Sequence, residues 1–183
     1  MPIVGNGRMK QGYNFEKVCV LVCDDSRHIR SLVKNCLLSF GVKTVVEASD
    51  ANEAFARIKE TTPDLIITDW NMPPTCGLEL VRRIRLDENS PDPYVPVIML
   101  TGHTELERVR RARDNGVSSF LAKPMSAEAL YKRIVNLIED QRPFVRAGNF
   151  FGPDRRFNEG APFGGTERRN VAAATPAATA TAA

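Results

Sequence analysis

Between Val18 and Ile138 the chain alternates short apolar runs with stretches in which apolar residues recur every three or four positions. Val18–Cys23 is followed by Ile29, Leu32, Val33, Cys36, Leu37 and Phe40, and Thr44–Val46 by Ala51, Ala54, Phe55 and Ile58. Leu65–Thr68 precedes Leu78, Val81 and Ile84; Val95–Leu100 precedes Leu106, Val109 and Ala112; Ser119–Ala122 precedes Leu130, Ile134, Leu137 and Ile138. The short runs predict strands and the longer spacing predicts helices with one face on a core, giving five strand–helix units in succession. VCVLVC, DLIIT and VPVIML are apolar at nearly every position, as expected of parallel strands covered on both faces. Punctuation falls at the joints: Gly41 after the first helix, Pro63 before the third strand, Pro91 to Pro96 before the fourth, Gly116 before the fifth, and Ser126 as an N-cap. The pattern predicts an α/β fold, a five-stranded doubly wound parallel sheet with helices on both sides.

The flanks differ in texture. Residues 1–16 carry glycines and asparagines without periodicity and read as a flexible lead-in. Beyond Gln141 the pattern stops, and 142–183 reads as a tail, basic and then Ala/Thr-rich, for which disorder is the default. The formal net charge of +3 comes from these ends, because residues 18–141 hold 16 Lys/Arg against 18 Asp/Glu. A basic excess confined to the ends does not describe a nucleic-acid-binding face. The four cysteines form no C-x-x-C pair and read as core thiols. No apolar run reaches membrane-spanning length, so a cytoplasmic protein without membrane contact is expected.

Candidate chemistry follows from where the strands end. In an open parallel sheet the ligand site lies outside the carboxyl ends of the strands. Those ends here supply Asp24 and Asp25, Asp69, Thr101 with Gly102, and Lys123 with Pro124. Three carboxylates at close range repel one another and require a cation beyond the single ammonium of Lys123. Oxygen donors in this number favour Mg²⁺, which keeps several waters and uses few carboxylates. A hard cation, an ammonium and a hydroxyl suit phosphoryl transfer, and a central carboxylate is a competent nucleophile.

Together Asp24–Asp25, the run Asp69-Trp-Asn-Met-Pro-Pro-Thr-Cys-Gly77, Thr101-Gly102 and Lys123-Pro124 resemble the receiver domain of two-component response regulators, in its stand-alone chemotaxis-type form. The resemblance spans residues 17–141 and implies the flavodoxin-like (βα)5 arrangement. It implies that Asp69 accepts a phosphoryl group from a phosphohistidine of a histidine kinase or histidine phosphotransfer protein. Mg²⁺ would be held by Asp24, Asp25, Asp69 and the backbone carbonyl of Asn71. Lys123 would pair with Asp69 and then with the phosphate, while Thr101 and Phe120 would form the switch. Asn71 and His103 would tune phosphate lifetime, and a cis peptide bond would precede Pro124. Such a protein is not an enzyme in the ordinary sense, because it catalyses only its own phosphorylation and dephosphorylation.

Two other readings compete. An aspartyl phosphohydrolase would place a second acid two residues after the nucleophile, and Asn71 stands there instead. A receiver-like interaction module working without phosphorylation would typically have lost one of the acids or the lysine, all of which are present. The arginine-rich stretch Glu105–Arg113 reads as a solvated helix face that docks a protein partner, and Phe150–Phe157 as either a solvated tail or a docking segment. With no effector domain in the pattern, output is expected through an unknown downstream protein target or onward passage of the phosphate in a phosphorelay.

Overall fold

The computed structural model of the protein describes residues 13–102, 112–148 and 150–154. Five parallel strands, β1 (Cys19–Cys23), β2 (Thr44–Ala48), β3 (Leu65–Asp69), β4 (Val97–Thr101) and β5 (Ser119–Ala122), form one sheet in the order β2-β1-β3-β4-β5. Helices α1 (Arg27–Ser39), α2 (Ala51–Thr61), α3 (Gly77–Leu86) and α4 (Ala127–Ile138) are described in full. The helix expected around Leu106 and Val109 lies outside the described residues, except for its end at Ala112 and Arg113. No described helix is long and apolar enough to cross a membrane.

Period-two alternation along the strands divides the core. Leu21, Cys23, Ile66, Val97 and Met99 pack with α2 and α3 on one face, whereas Val20, Val22, Ile67, Ile98 and Leu100 pack with α1 and α4 on the other. β3 and β4 are buried at every position, which is why their sequences show no polar alternation. Local chemistry sets the helix starts: Ser26, Asp50 and Ser126 accept hydrogen bonds from the first-turn amides of α1, α2 and α4. Strand order reverses direction between β1 and β3, so the crevice of the doubly wound sheet opens at the carboxyl ends of these two strands.

The flanks are more structured than the sequence pattern predicts. Phe15 is buried, with its ring edge-on to Tyr131 of α4, so the end of the lead-in packs on the body. Residues 142–154 are likewise not a solvated tail: β6 (Phe144–Ala147) and β7 (Phe150–Pro153) form an antiparallel hairpin that packs on the C-terminal end of α3. Phe144 and Phe151 cluster with Tyr94, and the ring of Phe144 lies 5.2 Å from the guanidinium of Arg85, itself 2% exposed. Arg85 donates to the carbonyls of Gly116 (3.1 Å) and Pro93 (2.8 Å). The backbones fit closely, for a Cβ on Gly152 would stand 2.6 Å from the Cα of Gly116. Residues 1–12 and 155–183 lie outside the described residues.

Candidate functional site

The site is assembled by chain reversals at the carboxyl edge of the sheet. As β1 ends, the amide of Asp24 bonds the carbonyl of Ala48 (3.2 Å), and its Oδ1 accepts the amide of Ser26 (2.9 Å), the residue that caps α1. Asp24 is thus fixed between a strand end and a helix start, 1% exposed, while the next carboxylate, Asp25, is exposed. Asp69 closes β3 and is 7% exposed, and its Oδ2 accepts the amide of Asn71 (3.2 Å). The following loop returns against it: the amide of Gly77 bonds the carbonyl of Trp70 (2.9 Å), and a Cβ at Gly77 would stand 1.9 Å from the carbonyl oxygen of Asp69. Glycine is therefore a steric requirement there.

One carboxylate oxygen from each of Asp24, Asp25 and Asp69 lies within 4.8 Å of the others. Lys123 Nζ stands 2.8 Å from Asp24 Oδ2 and 2.8 Å from Asp69 Oδ1. Desolvation raises the pKa of Asp24 against the lowering pull of its bonds to Lys123 and Ser26. For Lys123, burial works to lower the pKa, but hydrogen bonds to Asp24 and Asp69 prevail and it is raised, so the ammonium is secured. The amide of Lys123 donates to the carbonyl of Thr101 (2.8 Å), which ties β5 to β4 beside the acids, and the Lys123–Pro124 peptide is cis. Thr101 is 4% exposed.

Among the described residues, three carboxylates against one ammonium leave the cluster short of positive charge, and every candidate ligand is a hard oxygen. This donor set fits a divalent cation of the Mg²⁺ type better than a soft metal. Asp24, Asp25, Asp69, Thr101 and Lys123 thus converge as their positions at the strand ends imply. Asn71 adjoins them through its amide. Phe120 is partly buried on the α2/α3 face, in register with Met99. His103 and the stretch 105–111 lie outside the described residues. Of the four cysteines, all free, Cys23 is the most secluded, and burial pushes its thiol up to about 12, an unreactive value.

The structure adds a group that motif reading overlooks. Arg30, in the first turns of α1, donates from one nitrogen to the carbonyl of Asp24 (2.7 Å) and to that of Asp25 (3.3 Å). Its partners beside the acids are backbone atoms, which leave no residue-type signature in sequence.

An open parallel sheet carrying its acids and lysine at this edge has the architecture of a receiver, and sequence comparison agrees. The family model described as the response regulator receiver domain matches residues 20–135, and the chain belongs to that family. Over 120 residues it is 32% identical to the chemotaxis protein CheY of Pseudomonas aeruginosa, covering 66% of this chain and 95% of that protein. Chemotaxis protein CheY-3 of Vibrio cholerae is 33% identical over 120 residues, which cover 66% of this chain and 91% of that one. Among solved structures, the chemotaxis response regulator CheY4 of Vibrio cholerae superposes with a TM-score of 0.60 at 33% identity, covering 66% and 98% of the two chains.

Proposed function

We propose that this chain is a single-domain response regulator that takes a phosphoryl group from the phosphohistidine of a histidine kinase or histidine phosphotransfer protein onto Asp69, with Mg²⁺ held by Asp24, Asp25, Asp69 and the carbonyl of Asn71. The observation that carries this reading is the ammonium of Lys123 bridging two of three clustered carboxylates. Bound Mg²⁺ would neutralise charge on the phosphoryl oxygens and on the acids. An oxygen of Asp69 forms the new bond to phosphorus as the bond from phosphorus to the histidine nitrogen breaks, and the imidazole leaves with that electron pair. Lys123, released from part of its pairing with Asp69, then bonds the phosphoryl group. The hydroxyl of Thr101 donates to a phosphoryl oxygen, and Phe120 on the adjacent strand follows its movement. Phosphorylation thereby favours one of two arrangements of a protein-docking surface, or the phosphate passes onward in a relay.

Asn71 supports an acceptor over a phosphohydrolase. Occupying the position two residues after the nucleophile, its side chain offers no acid to protonate a leaving alcohol. The sole tryptophan, Trp70, adjoins Asp69 and serves as the reporter. Mg²⁺ and then acetyl phosphate or beryllofluoride should change its fluorescence in two steps, and intact mass should show one phosphoryl adduct. Asp69→Ala should abolish the second step and the adduct. A wild-type protein that shows neither step and no adduct would establish the alternative, an interaction module working without phosphorylation.

A further inference from the structure

We propose that Arg30 is a positioning residue that sets the affinity of the acid cluster for its divalent cation, acting through the backbone of Asp24 and Asp25. The inference rests on the proposed function and assigns one of its residues. The carbonyls of Asp24 and Asp25 fall just before the N-cap Ser26, where the helix ladder does not reach them. The first helical amide bond here runs from Arg30 N to Ser26 O (3.0 Å). The side chain of the same residue turns back to bond both earlier carbonyls, at 2.7 and 3.3 Å. One guanidinium nitrogen thus fixes the two consecutive peptide units from which the acids project.

That fixation bears unequally on the two acids. Asp24 has its carboxylate held from outside by Ser26 and Lys123. Asp25 is exposed, so its backbone decides where its carboxylate stands. Arg30 is itself held: its Nε lies 3.5 Å from Oε2 of Glu47, and Lys34 Nζ lies 2.7 Å from Oε1 of the same residue. Glu47 sits on β2, in register with Val22 of β1, so the anchor for Arg30 belongs to the sheet and not to the loop. The guanidinium faces Glu47 with its Nε as an ion pair, without a formed hydrogen bond, and bonds both carbonyls at its tip, a separation of roles that a lysine ammonium does not reproduce.

Groups that orient ligands without touching the metal commonly change metal affinity by about 10–100-fold when removed. Mg²⁺ titrations followed by Trp70 fluorescence on the full chain test the assignment. Arg30→Ala should weaken Mg²⁺ binding about tenfold or more, Arg30→Lys should recover part of the loss, and Glu47→Gln should weaken binding less than Arg30→Ala. Phosphorylation by acetyl phosphate should return close to the wild-type rate once Mg²⁺ is raised to saturate the variant, a recovery that a merely damaged fold would not show. Arg30→Ala binding Mg²⁺ as tightly as wild type, or staying slow at saturating Mg²⁺, overturns the inference alone. If Arg30→Ala does not fold, Arg30→Lys and Glu47→Gln decide by the same criteria. A wild-type protein blind to Mg²⁺ overturns the proposed function and this inference with it.

Discussion

Phe151→Ala should unfold the whole protein more easily, although Phe151 lies beyond residues 20–135, the part matched by the receiver family. Its ring is 3% exposed, 5.0 Å from Tyr94, 5.6 Å from Phe144 and 4.9 Å from the guanidinium of Arg146. Truncating a buried phenylalanine costs about 3–5 kcal/mol. The value should fall at the low end, about 3 kcal/mol, because a loosened hairpin lets water return to the guanidinium of Arg85. Burial pushes that group down to about 10, so rehydration returns part of the loss. Against a total stability of roughly 5–15 kcal/mol, such a loss lowers the melting temperature by roughly 6–12 °C in a chain of this size. Urea unfolding read by Trp70 is the assay, since that residue follows Asp69 at the carboxyl edge while the hairpin packs at the amino edge. A lower midpoint with an unchanged slope places the hairpin in the cooperative unit. A midpoint equal to wild type, for this variant or for a chain ended at Gln141, refutes the reasoning.

Gly77→Ala should impair both stability and the Mg²⁺ response of Trp70, because its Cβ would stand 1.9 Å from the carbonyl of Asp69 and backbone must move; unchanged Mg²⁺ affinity would contradict this. Hydrogen bonds from Arg142 hold the carboxyl of Asp140 below its ordinary 3.8. A group with a depressed folded pKa adds stability above its unfolded value and loses it as pH falls through the folded one. Wild type should therefore lose more stability than Asp140→Asn between about pH 5 and pH 2, as measured by denaturant midpoints across that range.

The parallel sheet was legible because β1, β3 and β4 are apolar on both faces, a pattern that amphipathic helices and solvated strands do not produce. The acids and Lys123 were legible because chemistry in such sheets collects at strand ends, so position and residue type coincided. The hairpin left no such signal. Its strands are four residues each, and the Gly152-Pro153 pair, ordinarily a mark of a turn, forms the end of β7. What orders it is Arg85 and Tyr94, fifty or more residues earlier, together with the fit of Gly152 against Gly116. A contact between a side chain and a distant backbone is invisible to periodicity, and the hold of Arg30 on two carbonyls was missed for the same reason.

The hairpin also decides how the molecule faces its surroundings. The described chain begins at Tyr13, whose hydroxyl bonds Glu139 at the end of α4, and ends at Asp154, whose amide bonds the carbonyl of Pro143. Both positions lie at the amino edge of the sheet, while the opposite edge, among the described residues, carries internal reversals at Asp24–Ser26, Ser49–Asp50, Trp70–Cys76 and Lys123–Ser126. Held to a surface or a larger assembly at Tyr13 or at Asp154, the body would turn Asp69 outward toward whatever diffuses past.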